Sequence, residues 1–361
     1  MSEKLRIAQV APIAAPVTPH AASSIEQIVW LLTEELVERG HEVTLFATGD
    51  SRTSARLRAS YPRGYKKDYR MWDNWQYHEL VHLGEAFEAA EEFDVIHSHV
   101  YYFAPALARL SGAATLHTDH VPTGGNVRSI YARYPEAKIA AVSRYHRRKF
   151  TDIEDVPIVY NGIDVGSFPF GPEPGNYLVF LGHLIERKGP VQAIRAAKEA
   201  GMPLVLAGGT DEDYYDAEIR PLIDGRQIEY VGPVGVEERN ELLSNAAALL
   251  FPSSFAEPFG LVMVEAMACG TPVVALERCA VPEIVDRGAT GYYAADAQSL
   301  ASLVPRAVAL DRHHIREQAA LRFGHRRMAD EYEAVYRRLA GKELPPGPRP
   351  LAGAASPETL P

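Results

Sequence analysis

The sequence predicts an α/β protein of two domains, each a parallel sheet with helices on its faces, with the two sheets facing a central cleft. Three observations lead there. Short apolar runs alternate with segments of helical period, the order that builds parallel sheets. The alternation stops at "FPFGPEPG", Phe168–Gly175, which has linker composition, and then starts again. A chain of 361 residues has room for one large or two medium domains.

The elements follow in order. "LRIAQVA", Leu5–Ala11, reads as a buried strand. In "SSIEQIVWLLTEELVERG" the residues Ile25, Val29, Leu32 and Leu36 recur at helical spacing, and Gly40 stands where a C-cap glycine belongs. "HEVTLFATG" is the next strand, so the chain opens β-α-β. Further strands are read at "FDVIHSH", "AATLHT", "KIAAV" and "VPIVYNGID", Val156–Asp164, with a helix at "FAPALARLSG" and another starting after "KIAAV". The second series runs through the strand "NYLVFLGHL", the helix "PVQAIRAAKEAG", the strands "PLVLAGG" and "IEYVGPV" and the helix "EERNELLSNAA". It continues with the strand "AALLFPSS", the helix "GLVMVEAMA" and the strand "TPVVAL". The expected division is a first domain over 1–168 and a second over 169–325. A last helix over 326–341 is expected to pack back on the first domain, and the Pro-, Ala- and Gly-rich tail over 343–361 to stay disordered.

Composition narrows the function. Hydrophobic residues make up 47% and charged residues 23%, as in soluble globular proteins. A net charge of -10 argues against a nucleic-acid partner. Cys269 and Cys279 are the only cysteines, which excludes a disulfide scaffold and a Cys-rich metal site and suits a reducing cytoplasm. The start "MSEKLRIAQVAPIAAP" has too short an apolar run for a signal peptide, and no stretch reads as a membrane span. Between the first two β-α units lies Ser51–Leu80. It mixes Arg52, Arg56, Arg58, Arg63, Lys66, Lys67 and Arg70 with Tyr61, Tyr65, Trp72 and Trp75. That mixture fits either a solvated insertion or a loop that binds an acceptor or partner.

The chemistry concentrates in "FPSSFAEPFGLVMVEAMACGTPVVA", Phe251–Ala275. Pro258 stands at the entry to a short helix, where its missing N–H costs nothing. The N–H groups of Phe259, Gly260 and Leu261 are then free to meet an anion, with the positive end of the helix dipole behind them. Gly260 lets a ligand come close. Glu257 lies just upstream and Glu265 about one turn deeper, each able to accept hydrogen bonds from hydroxyls. An anion site between two hydroxyl acceptors describes a nucleotide sugar. The plainer alternative makes Glu257 a helix-start acid and Glu265 an exposed helix residue.

"EPFGLVMVEAMACGTPVVA" resembles the signature of the family 4 glycosyltransferases, retaining enzymes with the GT-B architecture of two Rossmann-like domains. Their pattern has two glutamates with seven residues between them. Other pieces stand in family order: "RGHEVTLFATGDS" at Arg39–Ser51, "DVIHSH" at Asp94–His99, "TLHT" at Thr115–Thr118, "VYNGID" at Val159–Asp164, "LGHLIERKGP" at Leu181–Pro190 and "VGPV" at Val231–Val234. By that resemblance Glu257 contacts the donor sugar and Glu265 the ribose, Lys188 stabilises the departing diphosphate, and His117 reaches the sugar from the first domain. Val231, Gly232 and Pro233, with the turn Gly208–Gly209, resemble the wall at the base. Asn161 and Gly162 lie at the hinge.

Two departures stand out. The family has Arg where "LGHL" has His183, and a neutral imidazole cannot clamp a diphosphate in the bidentate way of a guanidinium. Arg187 is the nearest cation in sequence to take its place. In the first loop, Ser23 and Ser24 replace a pair of glycines, and "SSIE" also reads as a capping box with Ser23 as N-cap and Glu26 at N3. The resemblance implies transfer of a hexose with retention from a nucleotide-sugar donor, a UDP-sugar favoured over GDP-mannose, with no cofactor or metal. The acceptor class stays open: small molecule, glycan or lipid-linked, with no stable membrane insertion. A nucleotide-sugar-binding protein without catalysis and a nucleotide-sugar 2-epimerase are the alternatives.

Overall fold

The structure is a computed structural model that describes residues 3–21, 24–67, 69–121 and 124–342. Ser23, the side chain of Arg70 and the tail over 343–361 lie outside the described residues. The first sheet holds β1 (Arg6–Val10), β2 (Glu42–Phe46), β3 (Arg56–Arg58), β4 (Val95–Ser98), β5 (Ala114–Thr118) and β6 (Ala137–Ala140). The second holds β7 (Leu178–Leu181), β8 (Leu204–Ala207), β9 (Ile228–Tyr230), β10 (Ala248–Phe251), β11 (Val273–Leu276) and β12 (Gly291–Ala294). Every pairing is parallel. The spatial orders are β3-β2-β1-β4-β5-β6 and β12-β11-β10-β7-β8-β9, the same doubly wound order in both domains. Chain direction across each sheet therefore reverses beside the first strand, between β1 and β4 and between β7 and β10. In such sheets a crevice opens at that point, beyond the carboxyl ends of the strands.

The central strands β1, β4, β10 and β11 are buried on both faces, as helix-covered parallel strands must be. Two short strands escape the sequence pattern: β3, an Arg-Leu-Arg edge strand inside the basic insertion, and β12. The expected strand at Val156–Asp164 is instead two isolated bridges, Ala141 to Ile158 and Ile163 to Gly324. Two bonds make the first, Ala141 N–H to Pro157 O and Val159 N–H to Ala141 O, both 2.9 Å. Pro157 has no N–H to extend the ladder, and the chain then leaves the sheet for the second domain.

The chain crosses between domains twice, and the crossings touch. Ile163 N–H donates to Phe323 O at 2.8 Å and His325 N–H donates to Ile163 O at 2.9 Å. Beyond the second crossing, the helix His325–Leu339 joins the core of the first sheet. There Met328, Tyr332 and Tyr336 pack with Leu5, Ile7, Ile28 and Leu32. Its two tyrosines are fully buried and hydrogen-bonded. Gln9 Nε2 donates to the Tyr336 hydroxyl at 2.9 Å, His97 Nδ1 lies 2.6 Å from that hydroxyl, and Thr118 Oγ1 lies 3.0 Å from the Tyr332 hydroxyl.

Gly162 is what lets the crossings meet. A Cβ there would stand 2.7 Å from His325 Cα and 2.9 Å from Met328 Cβ. Replacing glycine elsewhere stabilises by about 0.4–1 kcal/mol through the unfolded chain, whereas forcing an extra methyl into a packed site costs about 1–3 kcal/mol. The second effect wins here. Gly162→Ala is expected to destabilise the protein by about 1–2 kcal/mol in denaturant titration, and an unchanged midpoint would contradict this reading of the hinge.

Candidate functional site

A cavity of about 420 Å³ lies where the carboxyl ends of β7, β8 and β10 face the first domain. Ser24 and Gln27, from the helix Ser24–Glu38, form its far side. Its inner end is the start of the helix Leu261–Ala268. Gly260 precedes that helix with φ 93°, a left-handed conformation suited to glycine, and no side chain caps the helix start. The first N–H groups therefore face the cavity with the helix dipole behind them.

Two cation–carboxylate pairs flank this helix start. Lys188 Nζ pairs with Glu257. Lys188 sits on a tight turn, Glu186–Lys188, held from outside: the Ser254 and Phe255 N–H groups both donate to Arg187 O at 2.9 Å. Gly189 follows with φ 80°, and a Cβ there would stand 2.4 Å from Pro252 O. Burial, and then the charge of Arg187, lowers the Lys188 ammonium to about 8. At the other flank, Arg239 Nη1 lies 3.1 Å from Glu265 Oε1. Glu265 is buried rather than exposed on its helix, and burial raises its carboxyl against the pull of Arg239. Arg239 is invisible in the motif because it arrives from a separate helix, Val236–Ser244.

The other expected residues divide clearly. His183, Gly208, Gly209 and Pro233 line the cavity, as do Ser24, Lys188, Glu257, Gly260, Leu261 and Glu265. Gly208, at φ 142°, brings β8 against β7, since a Cβ there would stand 2.0 Å from Gly182 O. Val231 and Gly232 fall just outside the lining, with Gly232 O accepting the Gly208 N–H at 2.9 Å. Arg187 is not brought to the cavity: its guanidinium stacks on Phe255 at 4.4 Å. Phe259 turns its ring into the core against Phe323 at 5.8 Å and borders a smaller cavity of about 90 Å³.

That smaller cavity joins both domains, with Ser24, His120, Val142 and Asn161 facing Glu257, Pro258 and Gly260. The histidine on its wall is His120, three residues past His117 in "TLHTDH". His117 lies beneath, fully buried, with Nε2 3.2 Å from the Tyr131 hydroxyl, and lines neither cavity. Burial lowers His117 to about 4 and His120 to about 3, so both are neutral imidazoles at physiological pH. His120 Nε2 lies 2.9 Å from His99 Nδ1, and His99 Nε2 lies 3.1 Å from Gln9 Oε1. Through Gln9 the wall histidine is joined to Tyr336 of the last helix.

A polar staple closes the domains beside this cavity. Ser143 Oγ donates to Pro258 O at 2.5 Å. Glu283 of the second domain accepts the Arg144 N–H at 2.7 Å, the Tyr145 N–H at 2.5 Å and the Tyr160 hydroxyl at 2.9 Å. The sequence hint for the staple was faint, a serine N-cap position before "RYHR".

Comparison with known proteins agrees with this geometry. Residues 25–167 match the family described as Glycosyltransferase Family 4, and residues 168–322 match Glycosyl transferases group 1. The chain belongs to the family 4 glycosyltransferases; it is a glycosyltransferase of GT-B architecture. It is 28% identical over 306 residues to glycogen synthase of Mycobacterium tuberculosis, covering 73% of this chain and 74% of that protein. It is 26% identical over 366 residues to phosphatidyl-myo-inositol mannosyltransferase of the same organism, covering 91% and 88%. AviGT4, a glycosyltransferase involved in avilamycin A biosynthesis, superposes with TM-score 0.70 at 25% identity over 93% of this chain and 98% of its own. Sucrose-phosphate synthase from Thermosynechococcus elongatus shares the fold with TM-score 0.73 at 21% identity, covering 94% and 100%.

Glu283→Ala removes a charged acceptor from three donors at once. Hydrogen bonds to charged groups contribute about 1.5–3 kcal/mol. A loss of stability in that range is expected in denaturant titration, with Glu283→Gln recovering part of it. Equal stability of Glu283→Ala and the parent would contradict the staple.

Proposed function

We propose that this glycosyltransferase moves a hexose from a nucleotide-sugar donor to an acceptor hydroxyl with retention at the anomeric carbon. A UDP-sugar is favoured over GDP-mannose, and the cytoplasm is the setting that the two unpaired cysteines suit. The observation that carries the proposal is the uncapped helix start at Gly260–Leu261 between two cation–carboxylate pairs. A diphosphate placed there takes its hydrogen bonds from the helix N–H groups and draws Lys188 toward itself. Glu257 is then free to accept hydroxyls of the sugar. Glu265, beside Arg239, accepts the ribose hydroxyls one turn deeper.

Charge develops on the departing diphosphate, so groups already aimed at it lower the barrier without rearranging. Lys188 and the helix dipole supply that charge in this proposal, with no metal required. The leaving oxygen takes the acceptor proton on the face from which the acceptor attacks, which accounts for retention without a protein nucleophile. His183 adds an imidazole to the diphosphate side, and Arg187, held on Phe255, does not reach the ligand. His120 is the first-domain group that reaches the sugar, in place of His117.

A donor screen tests this directly. Acceptor-dependent release of UDP or GDP supports transfer, nucleotide binding without turnover indicates a binding protein, and an altered sugar nucleotide indicates an epimerase. Glu257→Ala is expected to lower turnover about 100-fold or more while nucleotide binding persists; unchanged turnover would displace Glu257 from the site. The pH profile gives a second check. An ammonium lowered to about 8 loses its charge as pH rises through that value. So kcat/KM for the donor is expected to fall above about pH 8, since this quantity reports the free enzyme. Lys188→Arg should move that limb upward, because guanidinium stays charged. A limb unmoved by Lys188→Arg would assign it to another group.

A further inference from the structure

None of the described residues of the basic, aromatic segment Ser51–Leu80 lines the donor cavity. Part of the segment builds a separate recess of about 240 Å³ lined by Tyr65, Lys66, Lys67 and Trp72. We infer that this recess binds an anionic acceptor, a sugar or polyol ring carrying a phosphoryl group, either free or as the headgroup of a lipid. The inference rests on the transferase reading only in calling the ligand an acceptor.

Size and lining carry the first part. Sites for drug-sized ligands span about 300–1,000 Å³, so this recess suits a single ring with one substituent. Trp72 is 50% exposed, offering an indole on which the C–H face of a sugar ring packs. Lys66 and Lys67 are both exposed and stand on the same turn. Two ammonium groups side by side are a local departure in a chain of net charge -10, and they match a phosphoryl group.

The turn is built rather than loose. Tyr65 N–H donates to Ile13 O at 3.1 Å and Lys66 N–H to Ala14 O at 3.2 Å. Gly64 makes this possible, because a Cβ there would stand 2.5 Å from Ala14 O. The Tyr65 ring, almost wholly buried, lies 6.0 Å from Trp72 and 5.8 Å from Trp75. Its hydroxyl lies 3.0 Å from that of Tyr101. From below, the fully buried Glu79 accepts the Ile13 N–H at 3.1 Å. Burial raises Glu79 to about 8, so at neutral pH it adds little negative charge under the lysines.

Position carries the second part. Ile13 and Ala14 leave the carboxyl end of β1, and Tyr101 follows the carboxyl end of β4. These are the two strands at the switch point of the first sheet. His99, two residues before Tyr101, holds His120 on the wall of the smaller cavity. The recess therefore sits on the first-domain rim of the cleft, and it shares no residue with the donor cavity.

The test is binding of glucose 6-phosphate, and of phosphatidylinositol vesicles against phosphatidylcholine vesicles, to the full chain and three variants. Lys66→Ser/Lys67→Ser is expected to weaken binding at least about tenfold by losing two charge-assisted contacts. Trp72→Ala should weaken it as well, whereas Lys188→Ala, in the donor cavity, should not. Both lysines are exposed, so an unchanged melting curve certifies the double variant as folded. If the free sugar phosphate shows this pattern, the acceptor is soluble; if only the inositol lipid shows it, the acceptor is a headgroup. The inference is overturned if neither probe binds the parent chain, or if the double variant binds as the parent does. UDP binding is measured alongside. Its failure in the parent chain would undo the donor reading while leaving the recess to be judged on its own ligands.

Discussion

The helix Leu261–Ala268 begins at a glycine, which has no side chain with which to satisfy its first N–H groups. Those groups and the dipole behind them form a fixed positive end that the chain itself leaves open. The surrounding features keep it so. Gly208 and Gly189 let neighbouring backbones close in to shape the floor without filling it. The Phe259 ring is pulled into the core, which leaves the backbone of the turn at the surface of the cleft. The Ser143 staple fixes the Pro258 carbonyl and with it the direction in which the chain enters the helix.

The two ion pairs share one logic. A buried or half-buried carboxylate is costly unless a cation answers it, and each here has one. Each cation also faces a cavity in which an anion fits. A diphosphate can exchange for the carboxylate as the partner of Lys188, and hydroxyls can then satisfy Glu257. In the proposed complex the diphosphate would take Lys188 as its partner and hydroxyls would take Glu257, so that neither polar group would be left without a hydrogen-bond partner.

Much of this architecture is written locally. Apolar runs such as "YLVFL" and "ALLF" are buried strands because they are too short for a helix and a helix-covered parallel sheet buries both of their faces, and "EPFGLVMVE" keeps its glycine and both glutamates in one stretch. What escapes is non-local. Arg239 reaches Glu265 from another helix, Glu283 reaches Arg144 and Tyr145 across the interface, and no spacing rule connects such residues. The choice between His117 and His120 depends on where β5 ends, since the side chain that clears the strand reaches the cavity and the other stays beneath it. Val156–Asp164 looked like a strand by its apolar residues, but a proline and a domain crossing overrule that pattern.

The buried tyrosines of the last helix bear on synthesis of the chain. Tyr332 and Tyr336 fill the core of a domain whose first strand starts at Arg6, and they bond to Gln9, His97 and Thr118 there. A ribosome therefore finishes the second domain before it delivers the pieces that complete the first. Domains generally fold in order of emergence, but here the amino-terminal domain has all six of its strands early and receives the two tyrosines that complete its core only with the carboxyl-terminal helix.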